Sequence, residues 1–423
     1  MKNLLLAVAF LVMSQTIFGQ NPLAQRLHDS YELYKEKSLT IRRFKQKHLL
    51  PLVDKLKINA QFQVSEAGKS FEGRPIPLVR YGKGAPPVLL WSQMHGDEAT
   101  ATLALLDIFN FLSATGDGFD DFRKKLYENS SLYFVPMLNP DGAELWQRRT
   151  AQGIDMNRDA LRLQTPESVI LKGLQQSLKP SFGFNLHDQS PRYSAGNTPN
   201  VAVVSFLATA YDQARSMNTV RLRSMQLIAG MNRELQKFIP NQVARYSDEH
   251  EPRAFGDNIQ KWGTSLVLIE SGGYKNDPEK QYIRKLNFIA ILVGLEAIAN
   301  GTYTREVRAD YDKLPQNEKY HFDLLIRNAR VNQNGRITTA DVGINRNEIN
   351  NADATAFTYK SSIEDFGDLS VFYGIEEINV QGALITDENG QTFTPQLNGT
   401  ATFQLQLNKK SVYSVVNGFA EKK

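Results

Sequence analysis

Among the 423 residues there is no cysteine. That one absence limits both what can hold the chain together and what chemistry it can carry. Without thiols there is no disulfide framework, no cysteine nucleophile and no thiolate metal site. The folded state must rest on apolar cores. A zinc site would have to be built from His, Asp and Glu. Only six histidines are available to supply one, so the candidates are few. Apolar residues make up 41% of the chain and charged residues 22%, enough apolar material for real cores. The length suggests two or three domains at roughly 150 residues each. The formal charge, 49 − 45 = +4, does not call for nucleic acid or an anionic membrane as partner.

Residues 1–19 read as a secretory signal peptide. Lys2 gives the positive start, Leu4 to Met13 is an apolar run of ten, and Gly19 is a small residue suited to cleavage near Gln20. Export is therefore expected, and with no cysteine the expected setting is a bacterial periplasm or secretion. A second apolar run, Leu286 to Leu295, is closely flanked by Arg284, Lys285 and Glu296. It is too short to span a bilayer, so a buried helix is predicted and no transmembrane segment is expected after signal removal.

The next 40 residues carry many charges and predict one or two surface helices. Beyond them, short apolar runs alternate with helical stretches. Strands are predicted at Pro87–Trp91, Ser131–Met137, Phe182–Leu186 and Ser265–Ile269. Helices are predicted at Ala99–Leu112, Thr219–Phe238 and Gln281–Ala299. Such alternation implies an α/β sheet covered on both faces. After about residue 305 the texture changes. β-Branched and aromatic residues alternate with polar ones, broken by Asn334-Gly335, Asn389-Gly390 and Asn398-Gly399. Those pairs are turn signals between short strands. The expected division is a catalytic α/β domain over residues 20–305 and a smaller all-β domain over 306–423.

Four blocks carry candidate chemistry, each after a predicted strand. His95 and Glu98 follow Pro87–Gln93 at a spacing of three, which lets both side chains face one point. Zinc accepts both donor types. Asn139-Pro140-Asp141-Gly142 is a turn signal, followed by Arg148, Arg149, Asn157 and Arg158. A guanidinium offers a planar fork that matches a carboxylate. His187 ends the third strand and is the natural third ligand, leaving an open fourth position able to hold a water. Glu270, before a glycine pair, is placed to serve as general base. Ligands in open α/β sheets bind outside the carboxyl ends of the strands, which is where all four blocks fall.

In this order, His95-x-x-Glu98, Asn139-Pro-Asp-Gly142, Asn157-Arg158, His187 and Glu270 resemble the signature of zinc carboxypeptidases related to carboxypeptidase A, over roughly residues 60–300. The resemblance implies a mixed central sheet flanked by helices. It implies one Zn²⁺ held by His95, Glu98 and His187, and a substrate C-terminal carboxylate bound by Asn157 and Arg158. Arg148 would stabilise the oxyanion, with Arg149 the competing assignment. Glu270 would act as base toward a zinc-bound water. A mobile tyrosine is matched by Tyr246, with Tyr274 as alternative. The implied activity is release of the C-terminal residue from peptides or peptidoglycan-derived substrates by an exported bacterial enzyme. Alternatives are a deacylase of the succinylglutamate desuccinylase or aspartoacylase type, a cell-wall peptide amidase, and an inactive zinc-bearing binding module. Retention of Glu270 argues against the last. Where carboxypeptidase A-like enzymes often carry an arginine before the glutamate, this chain has Asp97. His250 is expected in a solvated loop.

Overall fold

The computed structural model describes residues 22–423; the expected signal segment lies outside them. In chain order the first body holds α1 (Leu23–Ser30), α2 (Gln46–Asp54), β1 (Phe62–Lys69), β2 (Pro75–Tyr81), β3 (Pro87–Ser92) and α3 (Thr100–Ser113). Next come α4 (Asp120–Asn129), β4 (Ser131–Val135), α5 (Pro140–Leu145), α6 (Pro166–Leu178), β5 (Phe182–Asp188), β6 (Ser194–Ala195) and β7 (Val204–Leu207). It continues with α7 (Thr219–Leu235), β8 (Val243–Arg245), α8 (Phe255–Lys261), β9 (Ser265–Ser271), α9 (Gln281–Ala299) and α10 (Arg308–Asp312).

The central sheet is mixed, in the order β1-β2-β4-β3-β5-β9-β7-β8. Its middle, β4-β3-β5-β9, is parallel. Period-two alternation along these strands serves two cores. Val88 and Leu90 face the larger core with Phe182, Phe184, α3, α7 and α9. Leu89 and Trp91 face the other with Leu266, Leu171 of α6 and Phe255 and Ile259 of α8. A strand buried on both faces reads as an unbroken apolar run, which is why β3 was legible. The run Leu286–Leu295 lies within α9 and is buried, as its length predicts. Among the described residues no helix is long and apolar enough to cross a membrane.

The sheet is wider than the apolar runs suggested. The β1–β2 hairpin and strands β7 and β8 join its edges, where half-exposed or three- to four-residue strands leave little periodic signal. β5 and β9 also extend past their predicted ends, so His187 and Glu270 lie within paired strand rather than beyond it.

α10 packs back on this body: Tyr311 is buried in the larger core and its hydroxyl accepts from Ala208 N at 3.1 Å. β10 (Asn317–Glu318) then pairs with β6. From His321 the chain is all β: β11 (His321–Gln333), β12 (Arg336–Asn350), β13 (Phe357–Gly367), β14 (Tyr373–Asn379), β15 (Leu384–Thr386), β16 (Phe403–Leu407), β17 (Lys410–Val416) and β18 (Phe419–Lys422). They form one sheet with its own apolar core of Leu324, Ile326, Val342, Ile344, Phe403 and Leu405. The Asn-Gly turn at 334–335 joins β11 to β12, with both residues at positive φ as such two-residue hairpins require.

Candidate active site

The parallel strands bring three of the four blocks to one edge. His187 and Glu270 are register partners on β5 and β9. β3 ends at Ser92, beside Leu186, and the next turn delivers His95 and Glu98. Gln93 makes that turn at φ 48° while fully buried. Its amide braces the loop, donating to Gly96 O at 2.9 Å and accepting from Thr102 Oγ1 at 2.9 Å.

Gly96 is required here for space. A Cβ on it would lie 2.0 Å from the carbonyl carbon of Gly142. The metal-motif loop therefore rests directly on the Asn-Pro-Asp-Gly turn. Asn139 caps α5, accepting from Gly142 N at 2.8 Å, and its amide reaches Met94 O at 3.3 Å. Asp141 is tied to Ser70 Oγ at 2.7 Å and Glu72 N at 2.9 Å. These are brackets under the site; neither residue borders the cleft.

His95, Glu98 and His187 are all buried, and one donor atom from each lies within 4.8 Å of the others. The Nδ1 atoms of His95 and His187 face the two oxygens of Glu98 at 2.8 and 2.6 Å. Burial disfavours charge on Glu98, yet the two histidines hold its carboxyl well below the usual range. Burial likewise opposes charge on His95, but Glu98 and Asp155 outweigh it and raise that imidazole to about 9. Burial lowers His187. Two nitrogens and a carboxylate converging in a buried pocket form a donor set that suits zinc, whose charge would replace the protons the cluster otherwise needs.

A cleft of about 350 Å³ runs along this cluster. It is bordered by Arg148, Asn157, Arg158, Tyr246 and Glu270 as well as the triad. Arg148 points in, with Nη1 3.1 Å from His95 Nδ1 and 3.4 Å from Glu98 Oε1. Arg149 instead donates to Gly153 O at 3.0 Å on the exposed side and does not border the cleft. Asn157 Oδ1 accepts from Phe255 N at 2.9 Å, and Arg158 Nε lies 3.2 Å from Glu251. Tyr274 packs against Tyr282, ring centroids 4.6 Å apart and tilted by 43°, and borders a neighbouring chamber instead. Glu270 is only 7% exposed, and its Oε2 has no hydrogen-bond partner. Burial, reinforced by the charge of Glu98, pushes its carboxyl well above the usual range. Burial also raises the Tyr246 phenol, with Glu270 adding to it.

Two participants escaped sequence reasoning. Asp155 Oδ1 meets His95 Nε2 at 3.2 Å, and its Oδ2 accepts from Arg148 Nε at 3.0 Å. It thus fixes the His95 ring and the guanidinium together, as a carboxylate behind a candidate metal-binding histidine would. Its separation of 60 residues from His95 left no local signal. Gln93 is the other. His250 is not in a solvated loop: its side chain is 14% exposed and Nδ1 lies 3.2 Å from Asp257 Oδ2.

A mixed α/β sheet thus carries, at the carboxyl edge of its parallel strands, a buried His–Glu–His cluster that could hold a metal ion. Residues 53–182 match the model of the zinc carboxypeptidase family. That stretch holds His95, Glu98, Arg148, Asn157 and Arg158 and ends before His187 and Glu270. The chain is 26% identical over 223 residues to "Probable carboxypeptidase 2" of Trichophyton verrucosum, covering 49% of this chain and 38% of that protein. It is 30% identical over 138 residues to "Carboxypeptidase SOL1" of Arabidopsis thaliana, covering 28% of each. The matches thus span well under half the length of these relatives. A metallo-carboxypeptidase from Burkholderia cenocepacia shares the fold, with a TM-score of 0.50 and 18% identity over 61% of this chain and 70% of that one.

Proposed function

We propose that the protein is a zinc-dependent carboxypeptidase that hydrolyses the C-terminal peptide bond of peptides. The observation that carries this reading is a single cleft with two different ends of chemistry. His95, Glu98 and His187 would hold the ion. Asn157 and Arg158 border the same space and offer an amide and a guanidinium to a terminal carboxylate. Zinc held there supplies Lewis-acid polarisation and makes water reactive near neutral pH. Glu270 is the base. Its carboxyl borders the cleft, where it can take a proton from the attacking water and pass it to the leaving amine. Arg148, fixed by Asp155, stabilises negative charge developing on the scissile carbonyl oxygen, an effect often worth about 3 kcal/mol for one donor. Tyr246, facing the same cleft, is the side chain we assign to substrate closure.

Residues 1–19 support export. The deacylase reading stays as the second, since it needs the same triad and a small anionic substrate. The two separate on substrates. A peptide with a free C-terminus should be cleaved by zinc-loaded protein, and C-terminal amidation should reduce kcat/KM by about two orders of magnitude. Cleavage of N-acyl amino acids without cleavage of peptides would transfer the assignment to the deacylase. Dialysis against a chelator should abolish turnover, and stoichiometric zinc should restore it. Full activity in metal-free protein would overturn both readings.

A further inference from the structure

Beside Glu98 the cleft adjoins a second, larger chamber of about 600 Å³. Glu98, Asp188 and Gln189 border both spaces. Neither Asn157 nor Arg158 reaches the chamber. Its far wall comes from the β domain, through Asp323, Arg346, Asn347, Tyr359, Glu376 and Phe419.

That wall is fixed to the catalytic body. Arg42 and Arg43, with side chains 7% and 2% exposed, each reach one oxygen of Glu348 at 2.6 Å. Arg192 donates to Asp323 Oδ2, Arg346 O and Asn347 Oδ1, each at 2.9 Å. Arg346 itself lies over the ring of Phe419 at 4.3 Å and gives Nη2 to Glu376 at 2.9 Å. Its Nη1 is buried and has no partner. On the catalytic side, Asp97 Oδ1 and Asp188 Oδ1 are also buried without partners. A buried polar atom left unpaired is costly, and these three residues border the chamber from two domains, which marks it as a place for polar ligand groups.

We propose that the β domain is part of the substrate site. Its wall holds the peptide segment N-terminal to the scissile bond, and Arg346 donates to a main-chain carbonyl or acidic side chain of that segment. This rests on the carboxypeptidase reading: with the terminal residue at Asn157 and Arg158, the rest of the peptide must leave the metal cluster on another side. The chamber bordering Glu98 provides that side.

The test uses the full zinc-loaded chain and two substrates sharing their last two residues, an N-acetyl dipeptide and an N-acetyl pentapeptide. Arg346→Gln should lower the pentapeptide-to-dipeptide ratio of kcat/KM by about tenfold, mainly through KM, as expected for losing one charge-assisted hydrogen bond that binds ground and transition states alike. Phe419→Ala, at a residue 43% exposed, should lower the same ratio by about threefold through loss of the stacked support. If Arg346→Gln fails to fold, the Phe419→Ala ratio decides. If wild type cleaves both substrates and the variants leave the ratio within roughly twofold of wild type, the β-domain proposal is overturned and the activity stands. If wild type releases nothing from either substrate in a zinc-dependent way, the carboxypeptidase reading fails and this proposal with it.

Discussion

Zinc-loaded Glu270→Gln is expected to lose about 10³-fold in kcat while keeping its fold and its metal. The reason is local. Glu270 sits inside β9, opposite His187 across the ladder, so its position is set by strand pairing rather than by its own bonds. The amide has the same shape, and Oε2 has no partner whose loss would propagate. What disappears is the ability to accept a proton. The burial that pushes the Glu270 carboxyl up also favours its taking a proton. Zinc content, thermal midpoint and kcat should be measured on the same preparation. Turnover within a few-fold of wild type would show that another group is the base.

Asp107→Ala should produce the largest loss of stability. Asp107 in α3 is fully buried and accepts four hydrogen bonds: Arg284 Nε at 2.7 Å and Nη2 at 2.5 Å, the Tyr31 hydroxyl at 2.8 Å, and Glu36 N at 2.7 Å. Arg284, on α9, is equally buried and also donates to Leu39 O at 2.7 Å and Glu36 O at 3.0 Å. One ion pair thus ties the segment after α1 to two core helices. Removing the carboxylate strands a guanidinium in the core, at a cost of about 3–5 kcal/mol. Denaturant unfolding followed through the α/β body should show it. Replacing both partners with apolar residues of similar volume should recover most of the loss, since the penalty is the unpaired charge and not the missing pair. A change below about 1 kcal/mol in the single variant would mean that water or a neighbouring carbonyl satisfies Arg284 instead.

The legible parts of this protein share a cause. Strands β3, β4, β5 and β9 were visible because both of their faces are buried, which leaves uninterrupted apolar runs. α9 was visible because nearly all of it is core. His95, Glu98 and His187 could be grouped because parallel strands deliver their carboxyl ends to one edge. Edge strands β1, β7 and β8 lacked such a signal.

Sequence by itself determined the donor types, the α/β alternation and the change to a β-rich tail. These follow from residue chemistry and from periods of two and 3.6, both of which act over a few residues. Only the tertiary structure decided which arginine enters the cleft. Arg148 and Arg149 are adjacent and chemically alike, but Asp155 lies within reach of one and Gly153 O within reach of the other. The same holds for Tyr246 over Tyr274, for the Gly96–Gly142 contact, and for the β-domain wall beside Glu98. Each depends on which distant segments meet, and contact between segments remote in sequence is fixed by packing of the whole chain, not by local pattern.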